Sequence, residues 1–98
     1  MSEVNCQVAL LLVHCRLPEA QSLKDKRMVV RSLKDRVRQK FNVAVAELDG
    51  QDKWQVATLG FVFIANDHRH LDESAQHVLT FVESFDRLQI YEHTIEFI

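Results

Sequence analysis

Glycine is scarce in this sequence of 98 residues, which contains only Gly50 and Gly60. Phosphate-binding loops and dinucleotide-binding turns need several glycines at fixed spacing, because the backbone there bends sharply and approaches the ligand closely. The Gly-x-Ser-x-Gly pattern of a nucleophile elbow is also absent. We therefore expect a protein that is not an enzyme and that carries no cofactor.

Long apolar runs and cysteines are scarce as well. No run reaches the length that spans a bilayer, and residues 1–5 lack the basic start and the apolar stretch of a signal peptide. We therefore expect a cytosolic protein with no membrane segment. The only cysteines are Cys6 and Cys15, which have opposite parity in one predicted strand and cannot pair within it. We expect both to be buried thiols.

Residues of metal-ligating type are present, but their spacing does not predict a metal site. A zinc site needs more ligands at fixed geometry than three histidines near one helix start supply. Carboxylates near the predicted hairpin are explained as well by turn chemistry as by a hard cation. The histidines are His68, His70 and His77. The carboxylates are Glu47, Asp49 and Asp52.

The composition is that of an ordinary globular protein, with 47% hydrophobic and 27% charged residues, so we assign residues 1–98 to a single domain. Apolar periodicity and turn residues predict six elements. They are a strand over 4–17, a helix over 22–40, strands over 42–49 and 53–65, a helix that follows Asn66 and Asp67, and a strand over 90–98. This order predicts an α+β fold, the ferredoxin-like βαββαβ plait, with a four-stranded antiparallel sheet and two helices on one face.

Three local patterns support these elements. Ser22 followed by Asp25 resembles a capping box at the start of the first helix. Asp49 and Gly50 indicate a hairpin turn, which is longer than two residues if the next polar residues belong to it. The apolar face of the first helix is predicted to contain Val29, Val30, Leu33, Val37 and Phe41, and that of the second helix Leu71, Ala75, Val78, Val82 and Phe85.

The first and third predicted strands are apolar at both parities, although helices can cover only one face of such a sheet. We therefore predict that the chain forms a homodimer, through the uncovered face or through the alternating last strand.

Phe61 and Phe63 lie two residues apart, as in an RNA-recognition motif, but the cation and final aromatic of that motif are missing. We expect both to lie in the core. Trp54 is a candidate for stacking or partner contact, or for capping the sheet edge.

Positive charge is concentrated in the first predicted helix. Residues 22–40 hold eight of the twelve Lys and Arg residues and two Asp, for a charge of +6. The remaining four cations and twelve carboxylates give −8, which accounts for the total of −2. A net charge near zero therefore conceals a basic segment of the kind that binds polyanions.

Five of these cations recur at intervals of three and four residues, so they form a stripe beside the apolar face, about 21 Å long at ~1.5 Å per residue. We call them the basic stripe: Lys24, Arg27, Arg31, Lys34 and Arg38. Lys26, Arg36 and Lys40 are predicted on or beyond the other flank. The candidate nucleic-acid or anion contacts are the stripe and Lys26.

The position of these cations in the helix distinguishes two groups. Arg36, Arg38 and Lys40 suit the negative C-terminal end of the helix dipole and need no other explanation. Lys24, Lys26 and Arg27 lie in the first turns, where the dipole favours anions, so we expect a negative group nearby. That group is a phosphate backbone, an acidic protein partner or one of the chain's own carboxylates. A solvated helix face is the simplest alternative for the whole stripe.

Several ordered motifs resemble the YlxP-like family of small bacterial proteins of unknown function. They occupy residues 17–20, 22–27, 31–36, 41–49, 51–55 and 57–60, and the resemblance extends over nearly the whole chain. Ala44 stands where that family pattern has Ser. The resemblance implies a ferredoxin-like fold, a bacterial cytosolic protein, and a link to RNA or the ribosome.

Three hypotheses on function follow from these observations. The first is a non-catalytic, ribosome-associated or otherwise RNA-binding module whose basic stripe and Lys26 contact phosphates. The second is a homodimeric interaction module whose basic helix meets an acidic protein. The third is binding or turnover of a small anion at the N-terminus of the first helix.

Overall fold

The structure is a computed structural model that describes residues 4–98. Its elements are β1 (Gln7–Arg16), α1 (Leu23–Lys40), β2 (Ala44–Asp49), β3 (Val56–Ala65), α2 (His68–Glu83) and β4 (Gln89–Phe97). The strands form one antiparallel sheet in the order β2-β3-β1-β4. The predicted α+β ferredoxin-like plait is therefore confirmed, with β1 and β3 in the centre. Among the described residues, neither helix is long and apolar enough to cross a membrane.

The start of α1 follows from its capping residues. Ser22 is the N-cap, and its Oγ accepts a hydrogen bond from the Asp25 N–H at 3.0 Å. The Asp25 carboxylate accepts from the Gln21 N–H at 3.0 Å, one residue earlier than in the usual capping box. The first bond pairs one of the donors that the first helical turn leaves unpaired, and the second fixes the chain just before the N-cap. The helix ends at Lys40, and the N–H of Phe41 donates to the Val37 carbonyl at 2.8 Å.

The core lies between the two helices and one face of the sheet. Odd-numbered residues of β1 face the helices and are buried: Ala9, Leu11, Val13 and Cys15. Phe61 and Phe63 on β3 pair with this set and are buried with it, so their predicted place in the core is confirmed. From the helices, Leu33 and Val37 of α1 and Leu71 and Val78 of α2 complete it, also as predicted. Phe41 and Phe85 are only half-buried.

The last strand departs from simple alternation. The pairing register of β1 and β4 shifts between His14 and Cys15, so that Tyr91 is an extra residue on β4. Ile90 and Ile95 have opposite parity but are both half-buried against the core, because the extra residue lies between them. The prediction that they face opposite sides of the sheet is therefore wrong.

The two cysteines have different environments. Cys15 lies in β1 and is fully buried, and this burial raises the pKa of its thiol to about 12. Cys6 precedes β1 and is exposed. The prediction of a buried thiol is therefore confirmed for Cys15 and wrong for Cys6, because the strand begins later than the apolar run suggested.

The connection between β2 and β3 is a loop of residues 50–55 rather than a two-residue turn. Gly50 adopts φ 79°, in the region that residues with a Cβ rarely occupy, and its carbonyl accepts from the Lys53 N–H at 2.9 Å. The longer connection that the polar residues after Gly50 suggested is therefore confirmed.

Candidate nucleic-acid interface

The basic stripe lies on the side of α1 nearest to β2, the edge strand of the sheet. Arg38 fixes this orientation, because its guanidinium Nη2 donates to the backbone carbonyl of Val45 on β2 at 3.3 Å. Lys34 is half-buried, and the other four side chains of the stripe are exposed. The stripe therefore forms a continuous cationic ridge along one flank of the helix.

Few carboxylates of the chain neutralise this ridge. Arg38 is 3.7 Å from the carboxylate of Asp35, an exposed pair that contributes at most about 1 kcal/mol. Lys24, Arg27, Arg31 and Lys34 take part in no salt bridge within residues 4–98. Salt bridges to the chain's own carboxylates were one of the explanations left open for the stripe. Within the described residues they account for only one of its five members, Arg38.

Lys26 is the exception among the predicted contacts. Its side chain is fully buried, and its Nζ donates to Glu47 Oε2 at 2.8 Å and to the carbonyl oxygens of Gly50 and Val56 at 2.5 and 3.2 Å. A buried ammonium needs partners of this kind, because desolvation without them costs several kcal/mol. The prediction that Lys26 contacts a phosphate is therefore wrong for this structure. The negative group expected near it is the chain's own Glu47.

The sequence did contain a signal for the burial of Lys26. It precedes Val29, Val30 and Leu33 by three, four and seven residues, so it lies in the middle of the apolar face of α1. The wheel position predicted for it, on or beyond the opposite flank, was therefore wrong. Glu47 lies on the face of β2 that is turned to the helices, where its carboxylate pairs with Lys26. This ion pair, rather than binding of a metal cation, accounts for a carboxylate at this position.

The other side of the sheet, which we call the open face, is uncovered; it is apolar over β2 and β3, whereas β4 places Glu92 and Glu96 on it. Three large apolar side chains on it are exposed, with exposed fractions of 49% for Leu48, 43% for Val62 and 62% for Ile64. Leu48 lies over Gly60, where a Cβ would be 2.5 Å from its Cδ1. Phe61 and Phe63 point to the opposite side, so the open face lacks the paired stacking rings of an RNA-recognition motif.

A groove between the two helices was not predicted from the sequence. It encloses about 460 Å³ and is lined by Met28, Val29, Ser32, Arg36, Phe81, Ser84, Phe85, Asp86 and Arg87. The guanidinium of Arg36 lies 5.5 Å from the centre of the Phe85 ring. Helix periodicity identified Phe85 as a core residue, but it could not show that a groove remains beside the ring and leaves it half-buried. We call this site the interhelical groove.

The remaining candidate residues lie apart from the stripe. Trp54 is half exposed in the loop of residues 50–55, where no described contact distinguishes stacking from edge capping. His68, His70 and His77 are exposed on α2. Within residues 4–98, no group of three or more His, Cys, Asp or Glu is arranged to hold a metal ion. At the N-terminus of α1, the Ser22 Oγ already accepts from the Asp25 N–H, one of the donors that a small anion would need, and the Asp25 carboxylate adds a negative charge there.

Comparison with known proteins agrees with the resemblance drawn from the motifs. The de novo designed protein Foldit4 has the same fold, with a TM-score of 0.55, 13% identity, and coverage of 94% of this chain and 96% of that chain. The uncharacterized protein YlxP of Bacillus subtilis (strain 168) is 35% identical over 75 residues, which cover 76% of this chain and 82% of that protein. A family model described as a protein of unknown function (DUF503) matches residues 8–95. The chain therefore belongs to the DUF503 family of YlxP-like proteins.

Proposed function

We propose that the protein is a non-catalytic RNA-binding module of the bacterial cytosol, and that the basic stripe contacts the phosphate backbone. One observation carries this proposal. Four neighbouring cations of the stripe have no salt bridge within the described residues, although the chain has more carboxylates than cations. Like charges at this spacing repel and destabilise a helix by a few tenths of a kcal/mol per pair, so an external polyanion would relieve them. Ribosomal RNA is one source of such a backbone.

The shape of the stripe supports an extended polyanion over a single small anion. Its members follow one flank of α1 from Lys24 to Arg38, about 21 Å at ~1.5 Å per residue, which suits a row of phosphates. The burial of Lys26 and the use of Asp25 as a capping acceptor leave less for a small anion to bind at the helix N-terminus. The open face without paired rings favours contact through the helix rather than through the sheet.

Salt dependence of RNA binding tests this proposal. If all five stripe residues engage phosphates of a single strand, the logarithm of the association constant should fall with log salt at a slope near −3.5, from ~0.7 per phosphate. Fluorescence anisotropy with labelled single-stranded RNA at several salt concentrations gives this slope. An affinity that is absent, or that does not change with salt, would exclude phosphate binding by the stripe.

A charge-matched pair of variants locates the binding surface. The test variant carries Arg27→Glu, Arg31→Glu and Lys34→Glu on the stripe. The control carries Arg16→Glu, Lys53→Glu and Arg69→Glu, three cations outside α1 with the same total change in charge. We expect a large loss of RNA affinity in the test variant and little loss in the control. Equal losses would mean that net charge, rather than the stripe, determines binding.

As a second candidate property, we propose that two copies of the chain associate through the open face. Its exposed side chains on β2 and β3 carry no charge, and a contiguous apolar patch of this kind is unusual on a monomer. Homodimer interfaces are more apolar than other interfaces, so a second copy of this face is a suitable cover. In such a dimer both basic stripes would stay outside the interface, because they lie on the helix side of each sheet. The dimer would then offer two cationic ridges to RNA or to an acidic protein.

Light scattering at micromolar concentration tests this association. We expect the mass of a dimer for the wild type and the mass of a monomer for Val62→Lys. Val4→Lys is the control, because Val4 is an exposed valine outside the sheet. A monomeric wild type would exclude a stable homodimer. Recovery of an acidic protein that survives nuclease treatment, in place of RNA, would favour the protein-interaction hypothesis.

A further inference from the structure

The interhelical groove has the chemistry of a binding site rather than of a packing gap. Phe81 and Phe85 form an apolar wall, and Met28 at the mouth is 61% exposed. The groove also contains two guanidinium groups, those of Arg36 and Arg87, and neither takes part in a salt bridge within residues 4–98. Its volume of about 460 Å³ lies in the usual range of small-ligand sites. The combination suits a flat ring attached to an anion.

The groove is continuous with the basic stripe across the exposed surface of α1. A shallow depression of about 440 Å³ lies over the helix and is lined by Met28, Arg31, Ser32, Asp35, Arg36 and Gln39. It shares Met28, Ser32 and Arg36 with the groove, and it contains Arg31 of the stripe. A chain whose phosphates contact the stripe therefore lies one helix width from the groove.

We infer that the interhelical groove binds an unstacked nucleobase of a single-stranded RNA whose phosphates lie on the basic stripe, an inference that rests on the proposed function. Proteins that read single-stranded RNA stack splayed bases on aromatic rings and on guanidinium planes. Arg36 and Phe85, whose guanidinium carbon and ring centre are 5.5 Å apart, offer both kinds of surface in one place. Because the groove holds a base beside a backbone contact, the protein distinguishes RNA from polyanions that lack bases.

The charges around the groove agree with an anionic ligand. Asp86 lies on its rim, and Arg36 and Arg87 leave the groove with an excess of one positive charge. In the depression, Asp35 is opposed by Arg31 and Arg36 and lies 3.7 Å from Arg38. A nucleotide phosphate therefore meets a net positive surface over the whole path from the stripe to the groove.

An RNA strand compared with an abasic strand tests the inference. The abasic strand has the same length and the same ribose-phosphate backbone, so it retains the phosphates and lacks the bases. We expect the wild type to bind the RNA about tenfold more tightly than the abasic strand, from the typical contribution of one stacked base. Anisotropy titrations of both strands at one salt concentration give this ratio.

Two variants with the same chemistry at different places complete the experiment. Arg36→Ala with Phe85→Leu removes the cation and the ring of the groove. The control is Arg16→Ala with Tyr91→Leu, a second cation–aromatic pair, with the guanidinium carbon 4.5 Å from the ring centre, which lies on β1 and β4 and outside the groove. We expect the groove variant to lose the preference for RNA and to bind the abasic strand as the control does. Circular dichroism melting curves verify that both variants are folded.

The outcomes separate this inference from the proposed function. Equal wild-type affinity for the two strands, or a preference that survives in the groove variant, would overturn base binding and leave phosphate binding intact. An equal loss of preference in the control would also overturn it, because the groove would then have no special role. Absence of binding to either strand would overturn both.

Discussion

Lys26 of α1 and Glu47 of β2 form a buried ion pair that joins the first helix to the edge strand of the sheet. The Lys26 Nζ is 2.8 Å from Glu47 Oε2, and two backbone carbonyls complete its coordination at the base of the loop of residues 50–55. The lysine is fully buried, while the glutamate side chain retains 14% of its exposure. One of the eight cations of the basic segment therefore holds the fold together and does not face a ligand.

Removal of one partner of this pair should destabilise the protein strongly. Glu47→Ala leaves a buried ammonium without its counter-ion, and we expect a loss of about 3–5 kcal/mol in the free energy of unfolding. Urea denaturation monitored by circular dichroism measures it. Replacement of both partners, Lys26→Met with Glu47→Leu, should recover part of this loss, because no charge is then buried.

The matched control for this pair is Arg38→Met, which removes an exposed cation of the same helix. We expect a loss below ~1 kcal/mol, because its ion pair with Asp35 is exposed. Similar losses for Glu47→Ala and Arg38→Met would mean that the buried geometry contributes little.

The fold could be predicted from the sequence because its elements are marked locally. The cap residues Ser22 and Asp25 and the apolar faces around Leu33 and Val78 each require only neighbours in sequence. The order of the six elements then leaves few antiparallel arrangements. The bulge at Tyr91 has no such local signal, since it depends on the register between β1 and β4.

The candidate site was only partly predictable. The basic stripe follows from spacing alone, because residues three and four apart share a flank of any helix. A helix wheel places Lys26 on the apolar face, but it does not contain the partner of the ammonium, Glu47, which is 21 residues away. The interhelical groove depends on how far two helices diverge over the sheet, a tertiary quantity that side-chain periodicity does not determine.

The two cysteines should differ sharply in reactivity. Cys6 is exposed and Cys15 is fully buried, so a thiol reagent at neutral pH should modify one thiol in the folded protein and two in denaturant. Mass spectrometry after labelling gives both counts. Cys6→Ser is the control and should leave the folded protein unmodified. Rapid modification of both thiols in the native state would mean that β1 opens readily.

Burial of Cys15 also predicts a dependence of stability on alkaline pH. The pKa of the thiol is near its ordinary value of 9.0 in the unfolded state and is raised by burial to about 12 in the folded state, so between these pH values the folded state holds the extra proton. The free energy of unfolding should therefore fall as the pH rises above about 9, by up to ~1.4 kcal/mol per pH unit from this group. Denaturation of the wild type and of Cys15→Ala across this pH range isolates the contribution of this thiol to the free energy of unfolding. Parallel curves would mean that the two states share one pKa for the thiol.

The close packing of Leu48 on Gly60 predicts a coupled pair of substitutions. A Cβ at position 60 would lie 2.5 Å from Leu48 Cδ1, so Gly60→Ala must displace a side chain that is itself half exposed. We expect Gly60→Ala to lower the free energy of unfolding by at most about 1 kcal/mol, because the atoms that must shift are the end of a flexible side chain and the removal of a glycine from a strand offsets part of the strain. Gly60→Ala in a Leu48→Ala background should cost clearly less, because the displaced atoms are absent. Additive effects in this double-mutant cycle would exclude a direct contact.

At Arg87, a substitution that stabilises the fold should weaken the inferred base binding. Arg87 is the one non-glycine residue in the described part of the chain with positive φ, at 71°, a conformation that costs a residue with a Cβ about 1–2 kcal/mol. Arg87→Gly should therefore raise the free energy of unfolding by roughly 0.5–1 kcal/mol after the entropy cost of glycine, which corresponds to ~2–8 °C in Tm for a domain of this size. Arg87→Ala keeps the strained backbone and removes the same guanidinium, so its Tm should stay near that of the wild type.

If the groove binds a base, both variants should lose the preference for RNA over the abasic strand to the same extent, although only one of them is more stable. A gain in Tm for Arg87→Ala equal to that for Arg87→Gly would assign the effect to the side chain, since the backbone conformation is common to both.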